Sequence, residues 1–133
     1  MTNLKAARLE HLNVTVKDAN ATAELLCNLF GWHVRWSGDS IHDGWSAHVG
    51  EVDTYLALYN GPDGSLLTSA PDHFKQQQAG LNHIGVVVPD LDKVEERVKS
   101  FGYEPHSHQD YEPGRRFYFT EENGLEIEVV QYD

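Results

Sequence analysis

The sequence contains a single cysteine, Cys27, so no intrachain disulfide can form. No apolar run approaches the roughly 18 residues that a membrane span requires. The first residues, Met1-Thr2-Asn3-Leu4-Lys5, lack the apolar stretch of a signal peptide. These absences point to the reducing cytoplasm as the expected location. Positive charge is also scarce: 10 Lys and Arg stand against 21 Asp and Glu, a net charge of -11. Such a chain repels phosphate backbones and anionic lipid surfaces, which argues against nucleic acid or membrane as a partner.

What is present suits a compact fold. The 133 residues match one domain of ordinary size, and 40% of them are hydrophobic. The chain also repeats itself. Leu9-Glu10-His11-Leu12-Asn13-Val14-Thr15-Val16-Lys17-Asp18 lines up with Leu81-Asn82-His83-Ile84-Gly85-Val86-Val87-Val88-Pro89-Asp90. With a one-residue gap, Glu24, Phe30 and Gly31 then fall on Glu95, Phe101 and Gly102. Two copies at this long period indicate a duplicated module rather than a solenoid.

Each copy presents the same order of signals. A β-rich run (about 9–16 and 81–88) leads to an aspartate N-cap, Asp18 or Asp90, and a helix follows to about 30 or 101. Ala23, Leu26 and Phe30 recur at helical spacing in the first helix, as do Leu91, Val94, Val98 and Phe101 in the second. Gly31 and Gly102 stand where a helix C-terminal glycine belongs. Three strands are then expected in each copy, near 32–37, 45–49 and 54–59, and near 103–108, 115–120 and 125–131. Gly44, Gly114 and Asn123-Gly124 are expected to mark turns. The reading is therefore α+β: two βαβββ modules (about 8–60 and 81–132) forming a curved mixed sheet, a cup with the helices on its outer face. Residues 61–80, with the turn-like Gly61-Pro62-Asp63-Gly64 and the polar Gln76-Gln77-Gln78, are expected to join them as a linker.

Strand alternation assigns faces. Leu12, Val14 and Val16 share one face and must pack on a helix, and so must Ile84, Val86 and Val88. His11 and His83 therefore point into the concave side. In the last strands Leu125, Ile127 and Val129 are apolar, and Glu126 and Glu128 share the opposite face. Matching Leu56-Ala57-Leu58 to Ile127-Glu128-Val129 puts Ala57 where the second copy has Glu128. Ser46 and His48 in the first copy correspond to Arg116 and Tyr118 in the second. His106 and His108 alternate onto one face and are expected to be exposed, while His33, His42 and His73 carry no usable signal. Cys27, in a helix beside apolar neighbours and with no cation near it in sequence, reads as buried and inert.

The segments LEHLNVTVKD…LFGW and LNHIGVVVPD…FGY, followed by GRRFYFTEENGLEIEVVQ, resemble the vicinal oxygen chelate superfamily, nearly throughout from residue 8 onward. That superfamily contains glyoxalase I, bleomycin-resistance proteins, fosfomycin-resistance thiol transferases and extradiol dioxygenases. The resemblance implies the fold; it does not single out a reaction. It implies metal ligands at His11, His83 and Glu128, with Glu126 a rival carboxylate. The fourth family position falls on Ala57, which cannot bind a metal and departs from the usual glyoxalase I. The potassium-binding loop of the fosfomycin enzymes is not found in Tyr111-Glu112-Pro113-Gly114-Arg115.

Two imidazoles and a carboxylate suit Fe(II), Mn(II), Ni(II), Co(II) or Zn(II). They leave positions open for a substrate that chelates through vicinal oxygens. The chemistry expected is dioxygenase-like, lyase-like or thiol transfer, with His48 and Tyr118 as catalytic candidates. Asn13, Trp45, Tyr55, Tyr59 and Arg116 are candidates for holding substrate. The alternative is a metal-free drug- or metabolite-binding protein of the bleomycin-resistance type. Small members of the superfamily are often dimers, so a homodimer is expected, with the modules paired within one chain or across two.

Overall fold

The structure, a computed structural model, describes residues 6–62, 67, 78–111 and 114–133. The chain divides into two compact units, Met1–Leu66 and Leu67–Asp133. Most of the expected linker, with Asp63, Gly64, His73, Gln76 and Gln77, lies outside the described residues, as do Glu112 and Pro113.

The first unit runs β1 (His11–Thr15), α1 (Ala19–Phe30), β2 (His33–Ser40), a single 3-10 turn (Ile41–Asp43), β3 (Gly44–Gly50) and β4 (Tyr55–Asn60). Its sheet has the order β1-β4-β3-β2, with β1 parallel to β4 and the other pairs antiparallel. The second unit repeats this with β5 (Ile84–Val87), α2 (Leu91–Ser100), β6 (His106–Tyr111), β7 (Gly114–Thr120) and β8 (Glu126–Tyr132), in the order β5-β8-β7-β6. Two open mixed sheets, each with one helix, make an α+β fold of two βαβββ modules. The sixth strand begins later than the sequence suggests, at His106, just after Pro105, whose ring supplies no N–H for a ladder.

Both modules start their helices with the same device. Asp18 Oδ1 accepts from Ala21 N and Asp90 Oδ1 accepts from Lys93 N, each at 3.1 Å. The first helical N–H is donated back to the last strand: Ala19 N to Asn60 Oδ1 and Leu91 N to Gln131 Oε1, both at 2.8 Å. Four N-terminal N–H groups of any helix need partners outside it, and these two contacts also tie each helix to its sheet. Gly31 closes α1 in the left-handed region, its N–H on Cys27 O.

Each helix packs on one face of its own sheet, α1 on β2, β3 and β4 and α2 on β7 and β8. Leu26 and Leu29 of α1 are buried with Ala47, Val49 and Leu58 in the first unit; Val98 of α2 is buried with Phe117, Phe119, Ile127 and Val129 in the second. The apolar face of β1 is buried at Val16, half-buried at Val14 and open at Leu12, which is 39% exposed, because α1 lies over the later strands. Phe101 follows α2 rather than belonging to it, and is exposed. Gly44 and Gly114 begin strands instead of forming turns. A Cβ there would strike Asn60 O in one case and Gln131 O in the other, so close backbone approach demands glycine. Cys27 is half-buried, and burial followed by the Glu24 carboxylate pushes its thiol up, in keeping with an inert side chain. Among the described residues no helix is long and apolar enough to cross a membrane.

The turn into β8 rests on a buried carboxylate that the sequence reading passed over. Glu121 is 3% exposed; its Oε1 accepts from Asn123 N at 2.9 Å and Leu125 N at 3.0 Å, and its Oε2 accepts from Asn123 Nδ2 at 2.8 Å. Truncation strands these donors in a buried site. Glu121→Ala is expected to lower stability by about 2–3 kcal/mol in urea denaturation, and Glu121→Gln by roughly half as much.

Candidate metal centre

On the second unit, the face of the sheet away from α2 carries the densest polar cluster. The parallel pairing of β5 with β8 puts Gly85 opposite Glu128, just after His83. His83 Nε2 lies 3.4 Å from Glu128 Oε1. The other carboxylate oxygen, Oε2, accepts from Arg116 Nη1 at 3.0 Å and from Tyr118 OH at 3.1 Å, both on the neighbouring β7. Glu128 is thus held by two donors on one oxygen while the other faces an imidazole. Burial, then the Glu128 carboxylate, pushes the Tyr118 phenol up, so it remains an O–H donor across the physiological range. Arg116 Nε is buried with no hydrogen-bond partner among the described residues, and its guanidinium also lies 4.6 Å from the Tyr111 ring centroid.

The tautomer of His83 follows from its second nitrogen. His83 Nδ1 is 2.8 Å from Asn82 Oδ1, an acceptor; the tautomer with its proton on Nδ1 makes this hydrogen bond and carries its lone pair on Nε2. That lone pair faces the lone pairs of Glu128 Oε1. Either a metal ion between them or a proton on the imidazole satisfies two such groups. Two donors about 2.1 Å from a shared ion, at ordinary coordination angles, lie roughly 3.0–3.4 Å apart, which accommodates the observed gap.

His11 repeats the arrangement in the first unit. Its Nδ1 is 2.9 Å from Glu10 Oε1, which also accepts from Tyr55 OH at 3.3 Å; the tautomer that donates there carries its lone pair on Nε2. Metal-binding histidines characteristically give their other N–H to such a partner, which fixes ring orientation and raises ligand basicity. The hydrogen bond from His11, more than any other contact, holds the Glu10 carboxyl below its ordinary value. Among the described residues no three His, Cys, Asp or Glu side chains gather into a group able to hold an ion.

The remaining candidates fall as follows. His48 pairs with Ala57 in register, as Tyr118 pairs with Glu128, and so faces away from α1. It stacks on Tyr55 at 4.8 Å, and Tyr55 in turn stacks on His11 at 4.9 Å. Asn13 lies opposite Ala57 and is exposed. Tyr59 donates to Ile41 O at 2.9 Å and braces the 3-10 turn. Trp45, a candidate for holding substrate, falls on the helix side instead: in register it alternates with Ser46 and His48, and its indole N–H reaches Asn20 of α1 at 2.9 Å. Glu126 begins β8, two residues from Glu128 on the same side of the strand; it is Glu128 that meets His83.

A second correction concerns β6. A register irregularity between His106 and Gln109, with Ser107 at φ 57, breaks the alternation. His106 stacks over Tyr118 at 6.3 Å beside the Glu128 cluster, whereas His108 lies near Phe117 and bonds Glu95 of α2 at 2.7 Å. Both are exposed, but on opposite faces. The same holds in β2, where Arg35 is the extra residue between Val34 and Trp36. Sequence alternation missed His106 and Arg35 as site neighbours because a bulge has no composition signal.

The fold and these residues define a duplicated βαβββ protein with a carboxylate–imidazole pair on the open face of one module. The family model described as the Glyoxalase/Bleomycin resistance protein/Dioxygenase superfamily matches residues 8–129, and the chain belongs to that superfamily. Among solved structures it is similar to a glyoxylase/bleomycin resistance protein/dioxygenase domain from Frankia sp. EAN1pec, at 20% identity and a TM-score of 0.78, covering 97% of this chain and 100% of that one. It is also similar to the fosfomycin resistance protein FosX of Listeria monocytogenes complexed with Mn(II) and sulfate, at 20% identity and a TM-score of 0.71, covering 97% of this chain and 95% of that one. A glyoxalase family protein from Enterococcus faecalis follows at 15% identity and a TM-score of 0.73, covering 92% and 96%. No curated protein matches the chain.

Burial pushes the His48 imidazole down, and the positive fields of His11 and Arg35 add to this against Glu10. A histidine whose folded value is depressed stabilises the fold above its unfolded value of about 6.5, and that contribution is lost as pH falls through it. In EDTA-treated protein the ring-proton NMR titration of His48 is expected to show a midpoint below 6.5; a midpoint above it contradicts this electrostatic picture.

Proposed function

We propose that the chain is a metal-dependent enzyme in which His11, His83 and Glu128 hold one divalent ion, and that the ion takes a small substrate through two vicinal oxygens. The single observation behind this reading is the convergence of the His83 Nε2 and Glu128 Oε1 lone pairs at 3.4 Å, with Oε2 already committed to Arg116 and Tyr118. The matching Nδ1 hydrogen bond of His11 to Glu10 supports it as the third ligand, supplied within one chain or across a homodimer. Fe(II), Mn(II), Ni(II), Co(II) and Zn(II) all suit two imidazole nitrogens and one carboxylate oxygen. The Mn(II) bound by the FosX relative favours testing manganese first.

When bound, the ion supplies Lewis acidity toward a substrate oxyanion. Arg116 and Tyr118 occupy Glu128 Oε2, so Oε1 is the oxygen that would hold the ion. Arg116 adds positive charge next to the carboxylate, which would weaken its donation to a bound ion. His48, held neutral by its surroundings, is suited to take a proton from substrate, and the protonated Tyr118 is suited to give a hydrogen bond. Asn13 and Tyr55 line the corresponding face of the first unit. The reaction class is dioxygenase-like, lyase-like or thiol transfer; the cytoplasm is the proposed location.

Protein stripped with EDTA and reconstituted is expected to retain about one equivalent of Mn(II) or another of these ions per site by elemental analysis. His83→Ala and Glu128→Ala should each weaken binding on the order of 100-fold. Because the imidazoles must be neutral and the carboxylate ionised, the ion should be released as pH falls. No retained transition metal after reconstitution would instead support the metal-free binding protein of the bleomycin-resistance type.

A further inference from the structure

The open face of the first unit holds a second recognition element, built by the irregularity in β2. The register steps from Val34 opposite Val49 to Trp36 opposite His48, with Arg35 extra. In a regular strand neighbouring side chains take opposite faces; a bulge re-aims one of them. Here both reach the same cluster. The Arg35 guanidinium carbon lies 4.2 Å from the Tyr55 ring centroid, and the Trp36 indole lies 5.1 Å from His48. His48 is itself stacked on Tyr55. Trp36, His48, Tyr55 and His11 therefore form a continuous run of rings with a guanidinium over Tyr55.

Two features distinguish this cluster from an ordinary solvated surface. The chain has 21 acidic residues for 10 basic ones, and Arg8, Arg115 and Arg116 each pair with a carboxylate. Arg35 meets no carboxylate within 4.0 Å among the described residues, although it stands in an acidic protein. Trp36 is 49% exposed yet seated: a Cβ on Gly38 would lie 2.8 Å from Trp36 Cζ2, so the indole occupies the space that glycine leaves. Beside His48 the small Ala57 adds no competing group.

We infer that Arg35 and Trp36 form a subsite for a planar, conjugated carboxylate. Its carboxylate meets the guanidinium fork, and its flat π-system lies against the indole. The guanidinium pairs with a carboxylate through parallel N–H donors, and aromatic faces favour flat partners. A purely apolar ligand leaves Arg35 unused, and a compact tetrahedral anion leaves Trp36 unused. This assignment deepens the function proposed above by naming the substrate class, and rests on that reading only for where the reacting oxygens go.

The test uses EDTA-treated full-length protein, with 2-naphthoate as probe and 2-naphthylmethanol and cyclohexanecarboxylate as controls, followed by NMR at the three tryptophan indole N–H signals. Naphthoate is expected to shift the Trp36 signal and to bind at least about ten-fold more tightly than either control. Arg35→Gln should reduce its affinity to that of the alcohol, and Arg35→Lys should recover part of it. Gly38→Ala should weaken binding by displacing the indole while deleting no contact group. Equal affinity in wild type and Arg35→Gln, or shifts confined to Trp32 or Trp45, would overturn the assignment. Because no metal is present, the two readings fail separately. Naphthoate binding without metal uptake removes the metal site alone; metal uptake without naphthoate binding removes the subsite alone.

Discussion

The parallel pairing of β5 with β8 is the constraint from which the candidate centre follows. Parallel neighbours need a crossover connection, and here the helix and two intervening strands supply it. The pairing brings the end of the chain back beside the first strand of its module. A histidine from the start of that module and a glutamate about 45 residues further on thereby share one face. Everything that tunes the carboxylate, Arg116 and Tyr118 above all, comes from β7 on its other side, through an antiparallel register that sets Tyr118 directly opposite Glu128.

The two modules keep one scaffold and divide the chemistry between them. The helix-starting aspartates, the amide side chains that catch the first helical N–H, and the histidines with a side-chain acceptor at the preceding residue occur in both. The rows across the open faces differ. Asn13, Ala57, His48 and Trp36 run across the first sheet, where Gly85, Glu128, Tyr118 and His106 run across the second. One row is aromatic and lacks a carboxylate; the other holds the carboxylate and its hydrogen-bond donors. A duplicated fold can tolerate such divergence because the buried side of each sheet, not the open side, supplies the packing energy.

Much of this was legible in the chain itself. The recurrence of Leu, His, Val, Val and Asp, the 3.6-residue apolar spacing of both helices and the period-two alternation of the strands are local properties. Local rules sufficed to place both helices within a residue or two, to choose both N-caps, and to turn His11, His83 and Glu128 to the side away from the helices. Where alternation failed, it failed at an irregularity: His108 was separated from His106 by Ser107 in the left-handed region.

The sequence by itself determined the duplicated module, its strand and helix order, and the residue types available for chemistry, because each depends on spacing along the chain. Only the tertiary structure decided which partners those residues have. That Glu128 rather than Glu126 meets His83, that Arg116 and Tyr118 are spent on its second oxygen, and that Arg35 is left over the Tyr55 ring all depend on cross-strand register and on two bulges. Register is fixed by packing and hydrogen bonding between segments far apart in the chain, where a shift of a single residue exchanges the two faces of a strand.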